Sequence, residues 1–258
     1  MRVLVTNDDG ITAPGLAALA AAVDAVGHDV VVAAPSRDHS GASAAIGPLG
    51  GADGVEVSPV ELEGLPGVPA YAVDAPPALA VMIARLGAFG DSPSVVVSGI
   101  NPGPNTGRSV MHSGTVGAAL TAANFGLSGL AVSIGTGQHN HLETAASVAA
   151  SALGWLLRAP ARTVLNVNVP NLPLEEVRGV RQARLAPFGT VRAALGDRVE
   201  GRVQVELRDT EHDLEPDTDT ALVLAGYVTV TALNGIRAVD ETDAPAAIEA
   251  ALFSRAAG

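Results

Sequence analysis

Two adjacent carboxylates, Asp8 and Asp9, follow the first apolar run of the sequence directly. Like charges side by side raise the free energy of a fold unless a positive group lies close to both. A solvated turn with an Asx cap explains one aspartate before Gly10, but it does not readily explain two. A cation held between this pair and a phosphate group explains both, so the question becomes which other residues share the site.

Two further loops offer oxygen ligands at the matching position, just after a β-branched apolar run. Ser40 follows the run 29–35, and Asn101 follows the run 94–99. In an open α/β sheet, ligands bind at the carboxyl ends of the strands. Carboxylate, hydroxyl and amide oxygens suit Mg²⁺, Mn²⁺ or Ca²⁺ better than zinc or copper. The sequence therefore predicts one divalent-cation site with the ligands Asp8, Asp9, Ser40 and Asn101. A plain turn residue remains the competing interpretation of Asn101.

A stretch of small residues, Ser113-Gly114-Thr115, opens a predicted helix over 113–126. Small residues leave the first N–H groups of a helix accessible, and the helix dipole favours an anion there. We predict that this turn binds phosphate. An ordinary N-cap is the competing interpretation of Ser113, because serine is common at that position.

The composition excludes several classes of chemistry. The 258 residues contain no cysteine, which excludes disulfides, zinc–thiolate sites and cysteine nucleophiles. They contain no lysine either, which excludes Schiff-base enzymes, pyridoxal-phosphate enzymes and the P-loop lysine. The net charge of −12 argues against binding of a nucleic-acid polymer, which needs a basic surface. A phosphate must therefore be held locally, by a metal or by backbone N–H groups.

The first half of the sequence alternates short β-branched runs with longer Ala- and Leu-rich stretches. The predicted strands are 2–6, 29–35, 94–99, 129–135 and 163–170, and the predicted helices are 14–26, 113–126 and 142–158. Continuous apolar strands that alternate with helices are typical of a parallel sheet covered on both faces. We therefore predict an α/β core over residues 1–175, with a loop or short hairpin at 47–69.

After about residue 175 the pattern changes to period-2 alternation, and no helix is expected between the runs. The runs 178–186, 201–209 and 226–233 predict a β-rich extension over 176–258, with a long hairpin and a short final helix. Because unpaired strand edges need a partner, we predict that this extension mediates self-association.

The apolar runs are all shorter than the about 20 residues that span a bilayer. The first residues match a strand rather than a secretory signal. We therefore expect a cytoplasmic protein that contacts no membrane.

His39 and His112 fall inside the candidate loops, and their roles stay open at this point.

Four stretches together resemble the SurE family of stationary-phase survival proteins, which are metal-dependent nucleoside-monophosphate phosphatases. They are VTNDDGITAPG (5–15), VVAAPSRDHSGAS (31–43), SGINPGPNTG (98–107) and SGTVGAAL (113–120), with a weaker match at 217–231. The resemblance implies a Rossmann-like core and one divalent cation, Mg²⁺ or Mn²⁺, per subunit. It implies hydrolysis of nucleoside 5′- and 3′-monophosphates, with short polyphosphate as a further candidate substrate. It also implies a homodimer or homotetramer joined partly through the C-terminal extension.

By motif position, the resemblance implies a role for each candidate residue. The metal would be held by Asp8, Asp9, Ser40 and Asn101, of which Asp8, Asp9 and Asn101 form the catalytic centre. The substrate phosphate would be faced by Asn105, Ser113, Gly114 and Thr115. Two other functions stay open: a nucleoside hydrolase that releases free base, and a nucleotide-binding sensor without turnover.

Overall fold

The computed structural model describes residues 1–47, 54–199, 201–209, 214–237 and 243–253. Its strands are β1 (Arg2–Thr6), β2 (Asp29–Pro35), β3 (Val57–Val60), β4 (Ala70–Val73), β5 (Val95–Pro102), β6 (Ser128–Ile134), β7 (Val164–Val169), β8 (Val180–Gln182), β9 (Val191–Val199), β10 (Arg202–Asp209) and β11 (Val228–Leu233). Its α-helices are α1 (Pro14–Ala25), α2 (Pro77–Arg85), α3 (Gly114–Asn124), α4 (Leu142–Leu156), α5 (Asp219–Leu224) and α6 (Ala244–Phe253).

Nine of these strands form one sheet in the order β3-β4-β2-β1-β5-β6-β7-β11-β8. All neighbouring pairs are parallel except β3 with β4 and β7 with β11. Strands β9 and β10 pair with each other as a separate antiparallel hairpin. The predicted α/β class with a mostly parallel sheet is confirmed.

The central strands bury apolar side chains on both faces, because side chains alternate along a strand. In β1, Val3 and Val5 pack with α1 and α4, whereas Leu4 packs on the opposite face with α2 and α3. This two-sided burial explains why the strand sequences are continuously apolar rather than alternating. Because these strands pair in parallel, the carboxyl ends of β2, β1, β5 and β6 lie at one edge of the sheet in that order.

The structure differs from the sequence-based expectations in several elements. The sequence interpretation contains no counterpart of helix α2. Around 47–69 the alternatives were a loop and a short hairpin, and β3 and β4 form the hairpin. The expectation that no helix separates the C-terminal runs is wrong, because α5 lies between β10 and β11. Strand β5 continues past residue 99 to Pro102 and so includes Asn101.

The C-terminal region contributes to the main sheet as well as to the separate hairpin. Strand β11 pairs with β7, and β8 pairs with β11 at the edge of the nine-stranded sheet. The hairpin β9–β10 carries the exposed side chains Leu195 and Val205. The division at residue 175 and self-association through 176–258 stay predictions, whereas the short final helix is confirmed by α6.

Within the described ranges, every helix is too short or too polar to cross a membrane.

Candidate functional site

The turn after β1 is built by Asn7, whose buried side chain ties both ends together. Its Nδ2 donates to the carbonyl oxygen of Gly10 at 3.1 Å, and its Oδ1 accepts from the N–H of Gly10 at 3.2 Å. Gly10 has φ of 110°, a conformation that glycine adopts readily because it lacks a Cβ. Since Asn7 makes the turn, Asp8 and Asp9 are not needed to form it.

Asp8 is a buried carboxylate that faces the N-terminal end of α3. Its Oδ1 accepts a short hydrogen bond from the hydroxyl of Thr115. Burial raises the pKa of Asp8 above its ordinary value, although the Thr115 hydroxyl and the backbone N–H groups of Thr115 and Gly114 oppose this shift. The positive end of α3 therefore already faces one anion that belongs to the chain itself.

Gly114 lets α3 approach Asp8 closely. A Cβ at this position would lie 2.6 Å from Cβ of Asp8 and 2.7 Å from its Oδ2. The neighbouring Ser113 accepts from the N–H of Val116 at 3.1 Å and so caps the helix, the contact that the simpler interpretation predicts. The phosphate-binding role of this turn stays a prediction.

Asp9 lies beside two other carboxylates, those of Asp8 and Asp38. Burial, Asp8 and Asp38 together raise its pKa from 3.8 to about 7. Its Oδ2 is buried and accepts no hydrogen bond within the described residues. Among those residues, none of the ion pairs involves Asp8, Asp9 or Asp38. An orphaned carboxylate oxygen beside two further carboxylates fits a cation.

Asn101 is brought to Asp8 by the carboxyl end of β5. Its Oδ1 lies 3.4 Å from the Thr115 hydroxyl that binds Asp8, and its Nδ2 donates to the carbonyl oxygen of Gly103 at 2.7 Å. The bond to Gly103 fixes the amide with its oxygen towards Thr115 and Asp8. Asn101 and Asp8 thus lie around the same Thr115 hydroxyl, and their predicted role as ligands of one metal stays a prediction.

Ser40 is exposed, and its hydrogen bonds join it to Asp38. Its hydroxyl donates to Oδ1 of Asp38 at 2.6 Å, and its N–H donates to the same oxygen at 2.7 Å. These bonds lower the pKa of Asp38. The negative charge of Asp38 in turn raises the pKa of Asp9. Because the hydroxyl proton points to Asp38, the lone pairs of Ser40 stay available to a cation. Asp38 was not among the predicted ligands.

The predicted metal ligands include a hydroxyl and an amide oxygen, whereas many metal sites use only histidine, cysteine and carboxylate side chains. Within the described residues, no group of three or more such side chains is arranged to hold a metal. The predicted set has only two carboxylates, and a hydroxyl and an amide oxygen complete it. Such a set of neutral and anionic oxygens suits a hard divalent cation.

The loop that carries Asn105 is held by asparagines of β7, which the sequence interpretation missed. Nδ2 of Asn166 and Nδ2 of Asn168 donate to the carbonyl oxygen of Asn105 at 2.8 and 3.0 Å. The side chain of Asn105 donates to Oγ of Ser133 at 2.8 Å. Two asparagines two residues apart in an otherwise apolar strand share one face, and this pattern was the available signal.

The two histidines of the candidate loops occupy different positions. The N–H of His39 donates to the carbonyl oxygen of Asp8 at 2.7 Å, and its Nε2 is buried without a partner in the described part of the chain. His112 is exposed, and its carbonyl oxygen accepts from the N–H of Ser43 at 3.2 Å. His39 is therefore the histidine next to the carboxylate cluster.

The raised pKa of Asp9 predicts a pH-dependent stability of the metal-free protein. Between about pH 4 and 7 the unfolded chain has lost this proton while the folded chain retains it, so stability falls as pH rises through this window. The asparagine side chain of the Asp9→Asn variant does not titrate in this pH window. Its stability advantage over the wild type should grow with pH up to about 7, as measured by thermal melting with chelator.

Asp24→Asn is the matched control, because it removes the same charge from an exposed position on α1. Its pH profile should run parallel to that of the wild type. A parallel profile for Asp9→Asn as well would contradict the burial and repulsion inferred at Asp9.

Comparison with known proteins finds relatives that match almost the whole chain. A family model described as "Survival protein SurE" matches residues 3–191. The 5'/3'-nucleotidase SurE of Serratia proteamaculans is 38% identical over 238 residues, which cover 90% of each chain. That of Cronobacter sakazakii is 40% identical over 239 residues, which cover 91% of this chain and 90% of the relative.

A solved structure extends the similarity to the fold. The crystal structure of the SurE protein from Aquifex aeolicus superposes with a TM-score of 0.75 at 29% identity, and it covers 96% of this chain and 98% of that one. The family model matches well over half of the sequence, and the relatives match almost all of it. This chain therefore belongs to the SurE family.

Proposed function

We propose that this protein is a phosphomonoesterase that hydrolyses nucleoside 5′- and 3′-monophosphates with one divalent cation, Mg²⁺ or Mn²⁺, per subunit. The observation that carries the metal dependence is the buried Oδ2 of Asp9, which accepts no hydrogen bond within the described residues and lies beside the other two members of the carboxylate cluster, Asp8 and Asp38. Relatives named 5'/3'-nucleotidase support the nucleotide substrate. Hydrolysis of short polyphosphate and assembly into a homodimer or homotetramer are further proposals from the same family resemblance.

The cation would be held by Asp8, Asp9, Ser40 and Asn101. When bound, it would supply Lewis-acid stabilisation of the charge on the phosphoryl oxygens. The chain fixes two of these ligands in advance. Thr115 donates to the Asp8 carboxylate, and the carbonyl oxygen of Gly103 holds the Asn101 amide. Ligands fixed before binding lose little conformational freedom when the site fills.

The substrate phosphate is assigned to Asn105 and to the start of α3. One N–H of the Asn105 amide is bound to Ser133, and the other is directed to a substrate oxygen in this proposal. Ser113, Gly114 and Thr115 lie at the positive end of α3, which favours the substrate phosphate as well as Asp8.

The products released from AMP separate this proposal from its two alternatives. With Mg²⁺ or Mn²⁺ present, a nucleotidase releases inorganic phosphate and adenosine. A nucleoside hydrolase would instead release free adenine, and a sensor would bind AMP and release neither product. The same assay with 3′-AMP, short polyphosphate and p-nitrophenyl phosphate defines which phosphate esters the site accepts.

Chelation tests the metal dependence. After exhaustive treatment with EDTA, phosphate release from AMP should stop, and added Mn²⁺ or Mg²⁺ should restore it. The cation should also raise the melting temperature of the chelated protein, because it binds only the folded cluster and relieves the repulsion at Asp9. Full activity of a chelated, metal-free protein would contradict the proposal.

A further inference from the structure

Asp219 is a fully buried carboxylate at the start of α5. It forms a hydrogen bond with a residue 112 positions earlier in the chain. Its Oδ2 accepts from the N–H of Gly107 at 2.9 Å. Its Oδ1 accepts from the N–H of Ala186 at 2.9 Å and from the N–H of Thr220 at 2.8 Å. One side chain thus ties the segment after β5 and the segment after β8 to α5.

Asp219 is not needed as the cap of α5. Thr218 holds that position and accepts from the N–H of Ala221. Burial of the Asp219 carboxylate costs free energy, and burial raises its pKa although the three N–H donors oppose that shift. Since Asp219 does not cap the helix, the contacts that set it apart are its long-range hydrogen bonds to the N–H groups of Gly107 and Ala186.

Gly107 is the exit of the loop that carries Asn105. It begins a short 3₁₀ helix, Gly107–His112, which leads directly to the start of α3. A Cβ at Gly107 would lie 2.4 Å from the backbone of Phe188, so this point is also tightly enclosed. The carbonyl oxygen of Asn105 is held from the other side by the asparagines of β7. The loop is therefore held at several points. Asp219 supplies the anchor at its exit, next to the bond from the N–H of Arg108 to the carbonyl oxygen of Ala186 at 3.1 Å.

We propose that Asp219 is a positioning residue for phosphate hydrolysis, which holds the loop 103–107, and with it the amide of Asn105, through the N–H of Gly107. This inference rests on the proposed function, because it takes the role of Asn105 from there. Asp219 itself contacts neither the carboxylate cluster nor, in this proposal, the substrate. It acts on the reaction through the place of the loop.

Asp219→Asn breaks the tie to Gly107 selectively. The amide oxygen is best placed at the Oδ1 position, where two N–H donors converge, and the NH₂ group then faces the N–H of Gly107. Loss of one hydrogen-bond anchor should lower kcat/KM for AMP about tenfold. Exchange of the Gly107 amide with solvent deuterium should speed up, while Mn²⁺ binding, measured by calorimetry without nucleotide, should stay unchanged.

Thr218→Ala is the matched control, because it removes the cap of the same helix without touching the loop. It should lower the melting temperature while leaving Gly107 exchange and kcat/KM near those of the wild type. If Asp219→Asn does not fold, Asp219→Ser serves instead, since its shorter side chain offers one acceptor and cannot serve both anchors.

The outcomes separate this inference from the proposed function. Unchanged Gly107 exchange in a folded Asp219 variant overturns the tie while the proposed function stands. A Thr218→Ala protein that loses kcat/KM as strongly as Asp219→Asn also overturns it, because general destabilisation of α5 then explains the loss. A wild-type protein that releases no phosphate from AMP overturns the proposed function, and the catalytic role of Asp219 falls with it.

Discussion

Asp8→Asn should lower kcat/KM for AMP by roughly a hundredfold or more while the protein stays folded. The substitution is nearly isosteric, and an asparagine oxygen can still accept from the Thr115 hydroxyl. It removes one of the two charges proposed to hold the cation, so metal affinity should fall steeply. Loss of the metal's role costs several kcal/mol of transition-state stabilisation, and each ~1.4 kcal/mol is about tenfold in rate.

The stability of the metal-free variant distinguishes a functional Asp8 from a structural one. Because burial raises the pKa of Asp8, the fold favours its neutral form, and a neutral isostere should hold or raise the melting temperature at neutral pH. Steady-state kinetics and thermal melting with chelator measure the two effects. A melting temperature lower by many degrees, with hydrolysis retained, would show that Asp8 only forms the turn.

Gly114→Ala should cause a comparable loss, roughly a hundredfold in kcat/KM, without changing any charge. The added methyl group would lie 2.6 Å from Cβ of Asp8, closer than side-chain carbons approach each other. Asp8 is only 2% exposed, so either it or the start of α3 has to shift. A shift of about 1 Å at a reacting centre can cost on the order of a hundredfold in rate.

Gly154→Ala is the matched control for this substitution. Gly154 lies in α4, and a Cβ there would meet no atom of the described residues within 4 Å. The alanine should add up to about 1 kcal/mol of helix stability and leave kcat/KM unchanged. If Gly114→Ala behaved in the same way, close packing of α3 on Asp8 would not be required for activity.

The central strands and the position of Asp8 and Asp9 at the end of β1 could be predicted because their signals are local. Continuous β-branched runs marked β1, β2, β5, β6 and β7. Polar residues at the carboxyl ends of these runs marked the sheet edge where Asp8 and Asn101 both approach the Thr115 hydroxyl. Helix α2 begins with a proline in its first turn and is rich in good helix formers, so a local signal was present there and was overlooked. Helix α5 has only 6 residues, too few to show a helical period. The ties of Asp219 and of the β7 asparagines join distant segments, so no local pattern revealed them.

The tie between Gly107 and Asp219 also sets an order of events during synthesis of the chain. The loop that carries Asn105 leaves the ribosome 112 residues before its anchor on α5. At about 5–20 residues per second, that interval lasts on the order of 10 s. Throughout it, the nascent chain holds Asp8, Asp9 and Asn101 but lacks the residue that fixes the phosphate-facing loop. A complete site is therefore a property of the nearly finished chain, even though all its proposed ligands are made in the first half.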